Sequence, residues 1–229
     1  MRLGRRIGTA MTGRSITVVS LRTGIVLVTF TVIFTALMAL AHRATKDVID
    51  ASAEEEKMKL VNEVLPAAEY DNALLADHIG LPPVEPLGLD EPSQVFRARR
   101  NGKPVALVFE AVAPDGYSGR IRLLIAMRAS GEVVGVRVSQ HKETPGLGDY
   151  IDIRKDRNKA RPWITQFDGA RYDQSERAKW RVKKDGGRFD QVTGATISAR
   201  AVTNAVGRAL AFAAENREKL FGLPSGSKL

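Results

Sequence analysis

The sequence predicts an α+β protein: an N-terminal single transmembrane helix followed by a mostly antiparallel sheet with packed helices. Three observations carry this. Residues 23–41 contain no charge and are dominated by Val, Ile, Leu, Phe, Ala and Met. Four strand-like runs between residues 95 and 139 are joined by turns too short for a helical crossover, so consecutive runs must pair antiparallel. Beyond residue 196, apolar side chains fall at Val202, Ala205, Val206, Ala209, Leu210 and Ala213, the three-and-four spacing of one helix face.

In chain order, residues 1–15 form a basic segment. Residues 16–41, with Arg22 extending its head group towards the interface, are long enough to cross a bilayer as a helix. A cleaved signal peptide is the alternative, but its apolar stretch is usually shorter, and only Ala39-Leu40-Ala41 imitates a cleavage site. Arg2, Arg5, Arg6, Arg14 and Arg22 precede the uncharged run, whereas Arg43 and Lys46 beyond it are soon balanced by Asp47 and Asp50. The excess of basic residues on one side places the N-terminus in the cytoplasm and the rest in the periplasm, as expected of a bacterial inner-membrane protein. Residues 42–93 read as a stalk helix from Lys46 to Pro66 and a proline-rich linker through Leu81-Pro82-Pro83 to Pro92. A folded domain follows at 94–216. Its strands are expected at 95–99 and 105–112 around an Asn101-Gly102 hairpin, then at 121–127 and 132–139 around Ala129-Ser130-Gly131. Residues 217–229 are expected to be a tail.

Composition excludes several chemistries. The 229 residues include no cysteine, which removes disulfides, thiolate zinc sites, Cys-ligated iron–sulfur clusters and thioether-linked flavin. His42, His78 and His141 have no ligand-like spacing, so no metal site is expected. The formal charge of +9 suggests nucleic acid, but six of the excess charges are arginines at or before Arg43. The run Arg154, Lys155, Arg157, Lys159, Arg161 is broken by Asp156 and carries no interleaved aromatics; it reads as solvated surface, and no nucleic-acid partner is expected. Any electron-carrying role must rest on an organic cofactor.

Two constellations remain. Asp190-Gln191-Val192-Thr193-Gly194-Ala195-Thr196 puts Thr196 about where the C-terminal helix begins. Free backbone N–H groups and the helix dipole favour an anion there, phosphate above all. The ordinary alternative is that Thr196 simply caps the helix in a cofactor-free membrane-anchored scaffold. The second is His141-Lys142-Glu143-Thr144-Pro145-Gly146-Leu147-Gly148, a loop whose glycines let backbone approach a flat ligand, although a plain turn accounts for Pro145 and Gly146 equally well. Trp163, Phe167 and Trp180 read mainly as core. Lys183 and Lys184 are as consistent with solvated surface as with balancing an anionic cofactor.

The 190–196 heptapeptide resembles the flavinylation motif of the RnfG and NqrC families. The resemblance implies FMN joined through its phosphate to the Thr196 hydroxyl by a flavin transferase using FAD, with Asp190, Thr193, Gly194 and Ala195 completing the motif. Gly116-Tyr117-Ser118-Gly119 together with 143–148 resembles the FMN-binding domain of the same families, over roughly 95–212. That implies polar contacts to the isoalloxazine from Thr144 and the Gly146–Gly148 backbone, with Leu147 covering the ring and Glu143 orienting the loop. Thr193 in place of Ser, and the Lys183–Phe189 segment, are closer to RnfG. Membership would imply an electron-transfer subunit of a membrane complex, partnered by other Rnf subunits and membrane lipid. Such a complex exchanges electrons between ferredoxin and NAD while moving Na⁺ or H⁺, or keeps a redox regulator reduced; an NqrC-type subunit of a Na⁺-translocating NADH:quinone reductase is the alternative.

Overall fold

The computed structural model describes residues 12–229. Arg2, Arg5 and Arg6, and the side chain of Arg14, read above as cytoplasmic, lie outside that description. The chain divides into two units, Met1–Glu55 and Glu56–Leu229. A first helix, α1 (Thr12–Val64), supplies the first unit and ends in the second. Its stretch Val18–Lys46 is 29 residues long with none of its residues buried, and among the described residues it is the one helix apolar and long enough to cross a membrane. At 1.5 Å per residue it reaches about 43 Å, against about 30 Å of bilayer hydrocarbon. Thr29 and Thr31 donate their hydroxyls to carbonyls four residues back, both at 2.8 Å, which pairs these two donors within the helix.

The second unit is built on a five-stranded antiparallel meander in the order β1 (His78–Leu81), β2 (Ser93–Arg100), β3 (Lys103–Gly116), β4 (Gly119–Arg128), β5 (Val133–Gln140). The β2–β3 register closes at Arg100↔Lys103. Asn101 and Gly102 have φ of 50° and 74°, the pair of left-handed residues that a two-residue hairpin requires. After β5 the chain makes a series of short 3₁₀ turns and then enters α2 (Thr196–Glu215) and α3 (Arg217–Gly222).

Alternation along the strands sends side chains to two different cores. Leu107, Phe109, Leu123, Ile125 and Met127 face α2, whose Val202, Ala205, Val206, Ala209 and Leu210 bury against them. Phe96, Ala98, Ala106, Val108, Leu124 and Ala126 form the opposite face and bury Val61, Val64, Leu65 and Leu74. Small alanines on that second face let the last turns of α1 lie close to the sheet. The helix stops before Pro66, whose ring disfavours helical backbone at the preceding residue.

The folded unit thus begins well before Gln94, and residues 56–93 are neither wholly stalk nor wholly linker. Four-residue β1 alternates only twice, burying Ile79 and Leu81, too short a run to read from the sequence; its backbone pairs with β2 from His78↔Phe96 to Leu81↔Ser93. Nor are residues 217–229 a loose tail. Leu220 is fully buried, and Gly80 N–H donates to the Ser227 carbonyl while its own carbonyl accepts from Leu229 N–H. The chain end therefore covers the β1 edge.

A buried arginine ties these late segments to the sheet. Arg97 on β2 pairs with Asp77 and also donates to the Leu220 carbonyl at 3.2 Å and to the Leu223 carbonyl. Arg99 reaches the same Asp77 at 2.8 Å and the Phe221 carbonyl at 3.0 Å. Burial pushes the Asp77 carboxyl up, but hydrogen bonds and charge from Arg99 and Arg97 outweigh it and hold it below its ordinary 3.8. Asp77→Ala leaves Arg97 buried without its counter-charge and should lower the unfolding free energy by about 3 kcal/mol, read as a shift in the urea midpoint. Because folding lowers this carboxyl's pKa, its contribution is present above 3.8 and disappears as pH falls through the folded-state value. The difference between the two proteins should therefore shrink in acid.

Candidate functional site

The two sequence constellations, about fifty residues apart, meet in one cleft. It has a volume of about 270 Å³ and is lined by Tyr117, Glu143, Thr144, Leu147, Gly148 and the run from Gly194 to Ser198. Clefts of about 690 and 700 Å³ lie elsewhere, one along the β1 edge and one beside Arg181, and neither contains a residue of either motif's contact set.

Glu143 holds the cleft together. Only 3% exposed, it accepts from Ser118 N–H at 3.0 Å with one carboxylate oxygen and from the Ser198 hydroxyl with the other. Its own N–H donates to His141 Nδ1 at 3.1 Å. One side chain thus joins the β3–β4 turn, the 143–148 loop and the first turn of α2. The fit leaves no room at Gly148, where a Cβ would stand 2.6 Å from Ser198 Oγ and 2.9 Å from Glu143 Oε2. The expectation that Glu143 orients the loop matches this geometry.

The motif loop is fixed at both ends by aromatic side chains. Trp163 Nε1 donates to the Asp190 carbonyl at 2.7 Å, and the Tyr150 hydroxyl donates to the Ala195 carbonyl at 3.0 Å. Their rings meet edge to face with centroids 5.5 Å apart. Burial pushes the Tyr150 hydroxyl up to about 12, against a lowering hydrogen bond from the Val192 backbone, so it remains a donor throughout the neutral range. Between the two anchors, Ala195 N–H closes a turn on the Val192 carbonyl at 3.1 Å. Gly194 sits at φ 89°, the left-handed position of such a turn that a side chain would strain.

The helix start is not a side-chain cap. Ala195 occupies the cap position without any side-chain cap hydrogen bond, and Thr196 is the first helical residue. The first-turn amides therefore lack a side-chain acceptor, and the Thr196 hydroxyl, half-buried at the cleft, is not committed to capping. A phosphate suits that combination of oriented N–H groups and helix dipole. The apolar rim of Tyr117, Leu147 and Ile197 suits a flat ring. On both counts the residues present fit FMN.

Comparison with known proteins agrees with this geometry. The profile of an FMN-binding domain matches residues 116–211, and that of the RnfG N-terminal region matches residues 11–64. A Shewanella loihica protein, named as a subunit of an ion-translocating oxidoreductase complex, is 41% identical over 200 residues, 87% of this chain and 92% of its own. The chain belongs to the RnfG family. A Vibrio atlanticus protein of the same name is 39% identical over 203 residues, 89% and 94% of the two chains. The crystal structure of Shewanella oneidensis NqrC aligns with a TM-score of 0.44 and 23% identity, covering 68% of this chain and 71% of the other. The choice between RnfG and NqrC membership falls to RnfG.

Within this RnfG-family chain, Thr144, Leu147, Gly148, Gly194, Ala195 and Thr196 share the cleft. Asp190, Thr193 and Gly146 do not line it. Asp190 pairs with Lys183 at 2.6 Å on the surface, Thr193 is exposed in the turn, and Gly146 N–H donates to Asp149 Oδ1 at 2.8 Å. Phe167 and Trp180 are core, as read; Trp163 is partly buried, packs against that core and also supports the loop. Tyr150 and Ser198 escaped the sequence reading because a lone Tyr and a helical Ser carry no pattern of their own. Tyr150→Phe removes one hydrogen bond and little shape. It should cost about 1 kcal/mol locally, read as about fivefold faster amide exchange over 193–196 with the sheet unchanged.

Proposed function

We propose that Thr196 carries FMN through a phosphoester and that the chain is the electron-carrying RnfG component of a membrane-bound ion-translocating oxidoreductase. The observation that carries this reading is the placement of an uncommitted Thr196 hydroxyl at an uncapped helix start, in the same cleft as the 144–148 loop. A flavin transferase with FAD as donor would make the bond, breaking the FAD pyrophosphate so that the FMN phosphoryl passes to Thr196 Oγ1 while AMP and the hydroxyl proton leave. Bound there, FMN would supply reversible electron exchange. The chain's own work is positioning: Glu143 and Ser198 hold the loop against α2, Tyr150 and Trp163 fix the motif turn, and the apolar rim limits water over the ring. No side chain needs to act as acid, base or nucleophile during turnover. The complex would exchange electrons between ferredoxin and NAD while moving Na⁺ or H⁺, and in some cells would keep a redox regulator reduced.

We further place the folded unit in the periplasm, on the strength of the N-terminal arginines and the single apolar span. Two measurements test these readings. Intact mass and in-gel fluorescence of protein co-expressed with the transferase should show one FMN on the wild type and on Thr193→Ala, and none on Thr196→Ala; flavin retained on Thr196→Ala would disprove the attachment site. Since the chain has no cysteine, Thr193→Cys creates a unique, exposed thiol. A membrane-impermeant maleimide should label it when only the outer membrane has been opened, and labelling confined to fully lysed cells would place the unit on the cytoplasmic side.

A further inference from the structure

The 143–148 loop is tied to the sheet through one histidine. His141 is the first residue beyond β5, and its Nδ1 accepts from Glu143 N–H at 3.1 Å. Further along, the amides of Gly146, Leu147 and Gly148 bond to Asp149 Oδ1 and to the Thr144 carbonyl, which folds the loop on itself without joining it to β5. The His141 bond makes that join. It has the form of an Asx turn, in which a side-chain acceptor on Cγ takes the N–H two residues on, with imidazole standing where Asn or Asp is usual.

What histidine adds is a second nitrogen. Nε2 lies 3.8 Å from Asp152 Oδ2, and the two side chains are only 14% and 4% exposed. Arg154 holds Asp152 in place: its Nε and Nη2 donate to the two carboxylate oxygens, each at 3.0 Å, and its N–H donates at 2.9 Å. Burial pushes the Asp152 carboxyl up, but these bonds outweigh it and keep it below its ordinary 3.8, so a fixed carboxylate faces Nε2. A ring proton on Nε2 is drawn towards that carboxylate. A ring proton on Nδ1 would set two N–H groups against each other 3.1 Å apart, and the loop bond would be lost.

We propose that His141 is a positioning residue of the flavin cleft: held in its Nε2–H tautomer by Asp152, it locks the Glu143 backbone and so sets where the 144–148 loop lies against the ring. The proposal rests on the reading that FMN is carried at Thr196. Glu143 transmits the restraint, because the residue whose N–H is held by His141 also sends its carboxylate to Ser118 and Ser198. Losing the His141 bond frees the amide end of Glu143 while its carboxylate stays buried, and the loop shifts about that fixed point. A neutral hydrogen bond is worth a factor of about five in such a local equilibrium.

The test uses the full chain in detergent, prepared with and without the transferase. The chain has three histidines, so nitrogen NMR of the imidazoles is tractable, and His141→Asn assigns the His141 signal by its loss. His141 should show the Nε2–H tautomer in both preparations. The Nδ1–H tautomer, or an average of the two, would overturn the proposal without need of any variant. In the flavin-free chain, His141→Ala should speed amide exchange over 143–148 about fivefold. In the loaded chain it should also shift the equilibrium of the flavin with a reference dye by about twofold or more, up to the same factor. His141→Asn restores an acceptor on Cγ and should return both readings to near wild type. Asp152→Asn, which keeps an acceptor for the Arg154 amide, should give mixed tautomers and intermediate exchange. An Asn variant at 141 that behaves like the Ala variant, an Ala variant that matches wild type, or a pure Nε2–H tautomer in Asp152→Asn would each count against the proposal. Intact mass reports FMN separately. A wild type without flavin overturns the attachment reading and the proposal with it, whereas a loaded wild type with the wrong tautomer overturns the positioning role alone.

Discussion

The site depends on a carboxylate that the fold has taken out of water. Glu143 has no cation to balance it among the described ion pairs; a backbone N–H and a serine hydroxyl satisfy its oxygens instead. Burying such a group without those partners would cost several kcal/mol, so the geometry around it is tightly constrained. Ser118 must come from the β3–β4 turn, Ser198 from the first turn of α2, and Gly148 must lack a side chain for the three segments to converge. Each requirement links a different stretch of sequence to the same few ångströms, and the cleft is the space left where they meet.

The sheet makes that convergence durable. Both of its faces are buried, one beneath α2 and the other beneath the last turns of α1 and Leu74. Packing over residues 202–213 fixes the axis of α2 along its length, and so fixes where its first turn points. The Tyr150–Trp163 pair then sets the approach of the chain to that turn. Trp163 also meets Phe167 at 5.6 Å, and Phe167 meets Phe189 at 4.6 Å, which ties the loop's support to the core.

Much of this was legible in the sequence where a repeating pattern existed. β2 to β5 announced themselves by alternation and short turns, α2 by its apolar face, and the two loops by their glycines and hydroxyls. β1 did not, because four residues give alternation too little room and its stability comes from pairing. The segment from Asp149 to Asp190 was also opaque. It is a chain of short 3₁₀ turns held by side-chain-to-backbone bonds at Asp152 and Asp173 and by the cluster of Phe167, Trp180 and Phe189, none of which imposes a period. The closing residues looked disposable for a similar reason: Leu220 is buried by its position beside Arg97, not by belonging to a long amphipathic face.

The cleft's modest size and open mouth carry a consequence for any cofactor held there. At about 270 Å³ it falls below the roughly 300–1,000 Å³ of sites that engulf a small molecule, so contact alone would leave occupancy to mass action. On the proposed attachment, a bond at Thr196 makes occupancy independent of free flavin concentration. It also removes the option of releasing the flavin in whichever oxidation state fits less well. Oxidised and reduced forms must then share one seat, and the difference in how well that seat suits each of them is what sets the potential at which the chain would give up its electrons.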